Sequence, residues 1–403
     1  MVKKKGINVV SLGSRDFYNV AIALNNQGML GYLITDFYTP NILRTLLKKR
    51  FDPNLNSNKT LSLMIILLPF LVVIRSLLSK SMGNKYYDFI FGFISAFICT
   101  VRGNNAIVYS YYCSGFYSFL KLFNIRKIRY QVFQVHPTPW HVSKVLKDDQ
   151  HSFQQYSEIN FREEQDVLWS ENENAKYFEA LSNAESVMCA SHATGHSIQL
   201  KGKKKISYQL TPYGSRFNYI DDKEKKQNKK FKLLTVAKIS QRKGLHHAFE
   251  ALKNAQDTEW VIVGEEFDQD LINLAPKYVK FKKNLSISML INEYRKADLF
   301  IMPSIIEGFG LVYLESIAQL TPVLCSHNTG VADILKHRES AFIIDPKKHD
   351  EIYSILDWCK KNPKMLQKIA YKAQQQSKSL TWKNFHDSVC RVAGNIYTNN
   401  ERI

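Results

Sequence analysis

The sequence DLFIMPSIIEGFGLVYLESIAQ, residues 298–319, joins a buried strand to a helix through a loop that contains two glycines. Residues 298–302 form a short apolar run of strand length that a proline ends. Leu311, Leu314 and Ile317 then recur at the spacing of one helix face. The pattern predicts a strand, a loop and a helix.

The loop has the composition of an anion-binding turn. Gly308 and Gly310 let the backbone come close to a ligand. The helix that follows offers free first-turn N–H groups and the positive end of its dipole, which favour a phosphate. Glu307 stands at the mouth of the loop and Glu315 just over one turn into the helix, so a carboxylate can face each end of a ligand. Because carboxylates accept hydroxyl hydrogen bonds, this arrangement suits a sugar.

These residues carry a resemblance to a known family. The segment EGFGLVYLE resembles the Glu-x7-Glu element of the retaining glycosyltransferases of family 4, which have the GT-B fold. Further similar blocks follow in the same order, and the resemblance covers most of residues 205–345. These blocks are TPYG (211–214), VAKISQRKG (236–244), WVIVGEE (260–266) and TPVLCSHNTGVADIL (321–335). The resemblance implies two doubly wound, Rossmann-like α/β domains that face a central cleft.

The length indicates two domains. A chain of 403 residues, 45% of them hydrophobic, is too long for one ordinary core and apolar enough for two. We predict an acceptor-binding domain over 1–215, a charged linker over 216–230 and a donor-binding domain over 231–380. A last helix, 381–403, is expected to cross back to the first domain, as is common in the GT-B fold.

The net charge and the cysteines indicate which partners and which cellular compartment to expect. A formal charge of +19 favours an acidic partner, which could be a phosphate-bearing substrate, an anionic membrane surface or nucleic acid. The chain shows no recognisable nucleic-acid-binding motif, so no nucleic acid is expected. The six cysteines are scattered and lie mostly among apolar neighbours, which is typical of reduced thiols in a cytoplasmic protein.

Two apolar segments in the first half, residues 61–74 and 88–99, leave two interpretations open. The first is too short for a membrane span and contains Pro69. Both segments are expected to be helices buried in the first domain or between subunits. Alternatively, they form an apolar face that docks on the cytoplasmic side of a membrane, helped by neighbouring lysines and arginines.

Two loops of the first domain contribute candidate residues. Residues 7–12 read as a strand that ends at Gly13, so Arg15 and Asp16 lie at the strand's carboxyl edge and form a candidate acceptor or donor loop. A helix cap made by Ser14 or Asp16 is an equally good interpretation. The strand within 128–139 ends at His136, which the resemblance places near the transferred sugar.

In the second domain, strands are predicted at 231–237, 259–263, 278–282, 298–302, 322–325 and 341–344, separated by helical patterns. Lys238, Arg242 and Lys243 follow the first of these strands. Cations are disfavoured at a helix start, so their position indicates an anion. The resemblance gives Lys238 and Lys243 to the donor diphosphate.

The resemblance also assigns roles within the cleft. Lys238, Lys243 and the amides of Gly310, Leu311 and Val312 would stabilise the charge that grows on the diphosphate when the sugar leaves. Glu307, Gly308, Phe309 and Glu315 would contact the donor sugar and ribose. Glu307 and His136 are the candidate catalytic residues.

We expect no metal site and no cofactor. Asp268-Gln269-Asp270 resembles the Asp-x-Asp metal motif of other glycosyltransferases, but it lies in a polar loop of the second domain and is interpreted as surface. His246 and His247 are adjacent, so we expect them to point to different faces of a helix and not to bind one metal.

Three other functions compete with a sugar transferase of cell-surface polysaccharide or glycolipid synthesis. A nucleotide-sugar epimerase has the same fold and would act without an acceptor. A phosphorylase would need a lysine that binds pyridoxal phosphate, and no segment of the sequence indicates one. A non-enzymatic membrane- or nucleic-acid-binding protein would use the basic surface and bind no nucleotide-sugar.

Overall fold

The computed structural model describes residues 5–39, 50–55, 57–78, 80–152, 169–199, 205–222, 230–264, 269–283 and 285–397. The first part of the chain alternates strands and helices. Its strands are β1 (Ile7–Val10), β2 (Leu30–Thr35), β3 (Thr60–Ser62), β4 (Ala106–Tyr109), β5 (Tyr130–Gln134), β6 (Val187–Cys189) and β7 (Tyr208–Leu210). Its helices are α1 (Asn19–Asn26), α2 (Met64–Leu77), α3 (Lys80–Arg102), α4 (Ser110–Leu122), α5 (Pro139–Ser152), α6 (Glu171–Ser182) and α7 (His192–Gln199).

The second part repeats the alternation. Its strands are β8 (Phe231–Val236), β9 (Thr258–Val263), β10 (Val279–Lys282), β11 (Leu299–Met302), β12 (Val323–Ser326) and β13 (Phe342–Ile344). Its helices are α8 (Leu245–Ala251), α9 (Gln269–Asn273), α10 (Ile287–Lys296), α11 (Leu311–Ala318), α12 (His349–Lys361), α13 (Pro363–Ser377) and α14 (Trp382–Tyr397).

Two parallel sheets organise these elements. The first has the order β3-β2-β1-β4-β5-β6-β7 and the second the order β10-β9-β8-β11-β12-β13. Every pairing within them is parallel, which confirms the predicted doubly wound α/β fold. The strand order reverses between β1 and β4 and between β8 and β11. Ligands of such sheets bind beyond the carboxyl ends of the strands at these points.

The last helix packs on the first sheet, not on the second. The ring of Phe385 lies edge-on to Phe133 of β5, with centroids 5.9 Å apart. Gln131 of β5 donates its side-chain amide to the carbonyl of Val392 at 2.8 Å. The chain therefore passes between the two halves twice, once before β8 and once before α14.

The segment that leads from the first half to β8 is partly packed against the rest of the chain. Phe217 is buried, and the hydroxyl of Tyr219 donates to the carbonyl of Ser377 at 2.7 Å. Residues 223–229 of the predicted linker lie outside the described residues. The segment just before them is thus packed against the second half of the chain.

Two helices of the first half have unusual local sequences. Helix α4 begins at Ser110 directly after β4, because the aromatic residues that follow the strand recur at helical spacing. Pro69 lies inside α2 and does not end it, since one missing hydrogen bond is only part of what holds a helix of 14 residues. Among the described residues, no helix is both long and apolar enough to cross a membrane.

Candidate active site

The loop between β11 and α11 has the backbone that its glycines predict. Gly310 has a φ of 83°, and a Cβ at this position would lie 2.5 Å from the ring of Tyr313. Only glycine fits both restraints. The helix then begins at Leu311, so the N–H groups of Gly310, Leu311 and Val312 surround the helix start, where an α-helix leaves its amides without intrahelical acceptors.

The same loop docks on the first half of the chain. A Cβ on Gly308 would lie 2.7 Å from the carbonyl oxygen of Val135, so the close approach requires glycine. The Gly308 carbonyl accepts a hydrogen bond from Thr194 Oγ1 at 3.2 Å. Phe309 is buried, with its ring edge-on to Tyr213 at 5.6 Å. Gly308 and the Phe309 side chain thus hold the two halves together.

Glu307 sits between two cations. Its carboxylate pairs with Lys243 Nζ, and its Oε1 lies 3.5 Å from Arg242 Nη1. Burial alone would raise the pKa of Glu307, but the charges of Lys243 and Arg242 outweigh it and lower the pKa to about 2. Glu307 is therefore a carboxylate at every physiological pH.

His136 joins this group from the first half of the chain. Its Nε2 lies 2.7 Å from Arg242 Nη1, and its Nδ1 lies 3.1 Å from the Pro137 carbonyl. A guanidinium can only donate, so Nε2 accepts and Nδ1 carries the proton. His136 is thus held as a neutral imidazole whose ring orientation is fixed from both sides.

Glu315 is nearly fully buried in α11. Its Oε2 accepts a hydrogen bond from the hydroxyl of Tyr294 at 3.0 Å, and its Oε1 lies 3.7 Å from Arg216 Nη1. Burial raises the pKa of Glu315, and the Arg216 charge and the Tyr294 hydrogen bond offset part of that rise.

The loop after β1 approaches the cleft in a strained conformation. Asp16, Phe17 and Tyr18 have φ values of 46°, 54° and 60°. Non-glycine residues rarely adopt this conformation, and runs of it mark functional loops more often than others. The guanidinium of Arg216 lies 5.1 Å from the centroid of the Phe17 ring, so the loop meets the partner of Glu315.

The carboxylate of Asp16 accepts hydrogen bonds from β4 and from α1. Its Oδ2 accepts from the hydroxyl of Tyr109 at 2.7 Å and from the amide of Val20 at 3.3 Å. Burial raises the pKa of Asp16 to about 7. Because Val20 lies in the first turn of α1, Asp16 satisfies one of the amides at that helix start, and its role in an acceptor or donor loop stays a prediction.

Two other predicted residues, Gly13 and Arg15, belong to the same loop after β1. The Gly13 amide donates to Asp36 Oδ1 at 3.0 Å, which anchors the turn after β1. The Arg15 guanidinium stacks over Tyr111, 4.4 Å from the ring centroid.

Of the predicted residues, the structure brings Glu307, Lys243 and His136 into one group. Lys238 is exposed on the loop after β8. Two arginines contribute more than the sequence predicted: Arg242, expected only as one of three cations near an anion, bridges the group, and Arg216 lay in the predicted linker. The basic run of residues 238–243 contained the signal for Arg242. Nothing local in the sequence marks Arg216 as the partner of a residue in α11.

The expectation that His246 and His247 point to different faces is wrong. Both Nε2 atoms reach the carboxylate of Asp149 in α5, at 3.0 and 2.7 Å. Adjacent helix residues diverge by roughly 100°, yet long side chains converge when their common partner lies between the two directions. Of the predicted surface motif, Asp270 is exposed on α9 and Asp268 lies outside the described residues.

The two sheets and the cleft between their carboxyl edges define the GT-B architecture. Residues 217–376 match the model of the family described as glycosyl transferases group 1. The sucrose-phosphate synthase of Thermosynechococcus elongatus has a similar structure, with a TM-score of 0.68 and 15% identity over 98% of this chain and 99% of that one. HepE of Anabaena, solved with UDP and glucose, gives a TM-score of 0.62 and 14% identity, over 97% of this chain and all of the other (100%).

A further protein is similar to this chain in sequence. The alpha-monoglucosyldiacylglycerol synthase of Acholeplasma laidlawii is 26% identical over 200 residues, 45% of this chain and 46% of that protein. The chain spans less than half of the length of the curated relatives it matches.

Proposed function

We propose that the protein is a retaining glycosyltransferase that moves a sugar, of the hexose type, from a nucleotide-diphosphate donor to a glycan or a lipid-linked acceptor. The observation that carries the proposal is the group formed by Glu307, Lys243, Arg242 and His136 beside the start of α11. It combines a permanent carboxylate, two cations and free helix amides at the carboxyl edges of both sheets. The family match of residues 217–376 supports the same activity.

The donor diphosphate would bind between the cations and the helix start. Lys243 and Arg242 supply positive charge, and the amides of Gly310, Leu311 and Val312 supply directed donors. Lys238, on the same loop as Lys243, adds a further charge at the mouth of the cleft. Glu307 pairs with both cations, so a bound diphosphate would share them and leave Glu307 oxygens for sugar hydroxyls.

The chemistry follows from how charge moves when the bond between the anomeric carbon and the diphosphate breaks. Negative charge grows on the phosphate oxygens, where the two cations and the amides stabilise it. Positive character grows on the sugar ring, next to the Glu307 carboxylate. His136 would position the sugar from the other side of the cleft, and Glu315 would hold the ribose. The cations of the chain supply the charge that a metal supplies in other transferases, so the proposed reaction needs no metal.

The acceptor side of the proposal rests on α2. Exposed apolar side chains on this helix include Met64, Ile66, Leu68 and Phe70. Ile66 and Phe70 lie one turn apart and form one exposed apolar face, with Met64 and Leu68 on the other side of the helix. The exposed face of Ile66 and Phe70 fits peripheral contact with an anionic membrane from the cytoplasmic side. A lipid-linked acceptor of polysaccharide, capsule, lipopolysaccharide or glycolipid synthesis would be presented there. The Acholeplasma relative, named for a glucosyldiacylglycerol product, supports a lipid acceptor.

Calorimetry with UDP, GDP, ADP and CMP tests the donor site. One nucleoside diphosphate is expected to bind wild type selectively and to bind Lys243→Ala and Glu315→Ala at least ~10-fold more weakly, as expected for loss of one charged contact. Lys253→Ala is the matched control, because Lys253 pairs only on the surface with Glu250. Unchanged binding in both site variants, or no binding to wild type, would refute the site.

Product analysis tests the reaction. With the identified donor and an acceptor, NMR of the product is expected to show the anomeric configuration of the donor. A new sugar nucleotide formed without acceptor would instead indicate the epimerase.

A further inference from the structure

A second buried polar cluster lies on the opposite end of α5 from His136. Val142, Leu146 and Asp149 fall on one face of this helix, at i, i+4 and i+7. Val142 and Leu146 pack against Ile305 and Ile306 in the loop after β11. Asp149 extends the same face by one turn and meets the second half of the chain through its carboxylate.

The carboxylate of Asp149 faces three side chains from the segment that begins with Gln241. His246 Nε2 lies 3.0 Å from Oδ2 and His247 Nε2 lies 2.7 Å from Oδ1. The Gln241 amide donates to Oδ2 at 2.9 Å. The side chains of Asp149, His246 and His247 are all at most 2% exposed. One ligand atom from each lies within 4.8 Å of the others.

We propose that Asp149, His246 and His247 bind a divalent transition metal such as Zn²⁺, which joins α5 to α8. Two imidazoles and one carboxylate suit Zn²⁺ and its neighbours in the first transition row. Mg²⁺ and Ca²⁺ prefer sites built from oxygen atoms, so this set discriminates against them.

The surroundings supply what such a site requires beyond its three ligands. His349 Nε2 lies 2.9 Å from Nδ1 of His247. When His247 donates its Nδ1 proton to His349, its Nε2 lone pair is free for a metal, which is the usual outer support of a metal-bound histidine. The Oε1 of Gln241 is buried and accepts no hydrogen bond from the described part of the chain. A turn of the Gln241 side-chain amide about its last bond would offer this oxygen as a fourth ligand, beside two nitrogens and one carboxylate.

In the structure the same residues form a hydrogen-bond network centred on Asp149. Each Nε2 then carries a proton and donates to Asp149, while His349 donates to His247 Nδ1. When a metal binds both Nε2 atoms, the proton of each moves to Nδ1 of the same ring, and His349 likewise carries its proton on Nδ1 so that its Nε2 accepts from His247. The nitrogen–oxygen separations widen from 2.7 and 3.0 Å to about 3.3 Å, the edge of a tetrahedral Zn²⁺ site. This requires side-chain shifts of about half an ångström and no change of fold.

The test uses the full chain, stripped with chelator. Calorimetry with Zn²⁺ is expected to show one equivalent bound by wild type. His247→Gln and Asp149→Asn are expected to weaken binding by more than the 10–100-fold typical of outer-shell changes, and His349→Ala by about 10–100-fold. Co²⁺ bound to wild type is expected to give a visible d–d spectrum without thiolate charge-transfer bands, and this measurement needs no variant.

The matched control is an exposed histidine pair. His192 and His196 stack on α7 with ring centroids 5.8 Å apart, a spacing that also binds Zn²⁺ adventitiously. His196→Gln is expected to leave the one tightly bound equivalent of Zn²⁺ unchanged. The proposal is overturned if wild type binds no Zn²⁺, if His247→Gln binds as tightly as wild type, or if Co²⁺ shows thiolate ligation.

Discussion

Arg242 Nη1 donates to His136 Nε2 at 2.7 Å and so joins the loop after β8 to the loop after β5. The same nitrogen lies 3.5 Å from Glu307 Oε1. One guanidinium therefore fixes the geometry of a histidine and a carboxylate that belong to different sheets. In the proposed enzyme these are the two candidate catalytic residues, so Arg242 positions them and also faces the diphosphate.

Removal of Arg242 is expected to slow transfer strongly. Arg242→Ala should lower kcat/KM about 10²–10³-fold, because loss of one donor to a developing anion costs about 2.7–4 kcal/mol of barrier. Arg242→Lys keeps the charge but not the planar guanidinium that can donate two hydrogen bonds at once, so it should recover only part of the loss. Steady-state kinetics with the donor found by calorimetry measures both. The exposed Arg126→Ala serves as control, and an equal loss there would contradict the prediction.

The charge of Glu307 is expected to make stability depend on pH. Its pKa is lowered from 4.5 to about 2, so its contribution is complete above about pH 4.5 and is lost as the pH falls toward 2. At neutral pH, Glu307→Gln should reduce the free energy of unfolding by about 3 kcal/mol. The difference between variant and wild type should shrink by about 1.4 kcal/mol between pH 7 and pH 3.5.

Urea denaturation at both pH values measures this difference. Glu339→Gln, at an exposed position, should stay within about 0.5 kcal/mol of wild type at either pH. A gap between Glu307→Gln and wild type that is constant with pH would show that Lys243 and Arg242 do not lower the pKa of Glu307.

Tyr294→Phe should separate ribose binding from diphosphate binding. The change removes the 3.0 Å hydrogen bond to Glu315 and leaves a buried carboxylate oxygen without it, at a cost of about 1–3 kcal/mol. We expect the nucleoside diphosphate to bind more weakly, by about 5–100-fold, while inorganic pyrophosphate binds as to wild type. Calorimetry with both ligands is the measurement. A parallel loss for pyrophosphate would place the effect on the phosphate side of the cleft.

Leu146→Ala should weaken the contact between α5 and the loop after β11. Leu146 is fully buried against Ile305 and Ile306, and such truncations cost about 2–5 kcal/mol. Chemical denaturation measures the loss. Val145→Ala, next to it but only partly buried, should cost less. Equal losses for the two variants would argue against a packed helix face at this contact.

The exposed face of α2 should bind anionic vesicles. Flotation at low salt is expected to carry wild type upward with phosphatidylglycerol-containing liposomes and to fail in the double variant Ile66→Ser, Phe70→Ser, because apolar area drives interfacial insertion. Tyr371→Ser, an exposed aromatic on α13, is the control. Wild type that stays at the bottom of the gradient would remove membrane docking from the proposed function.

The sequence predicts the second half of the chain better than its contacts with the first. Each predicted strand from 231 to 344 lies within about two residues of an observed one, because buried parallel strands are short apolar runs between helical patterns. The same alternation places residues 136, 243 and 307 after strand ends, and parallel sheets bring strand ends together. The family resemblance assigned these three residues to one cleft, and the structure brings them together.

Contacts between distant segments could not be predicted in the same way. The pairing of Arg216 with Glu315 depends on how the segment before β8 turns back over α11. Asp149 reaches two adjacent histidines 97 and 98 positions away. Local periodicity carries no information about such partners, and the rule that neighbours on a helix diverge predicted the opposite. The identity of the donor base lies equally beyond such patterns.

The position of α14 governs how the chain can be divided. Because Phe385 and Val392 complete the surface of β5, a fragment that stops after the first sheet would expose an apolar face, and one that starts at β8 would carry a helix without its support. The halves therefore cannot be separated by a single cut in sequence. Expression of either half calls for α14 to be grafted onto the first or removed from the second.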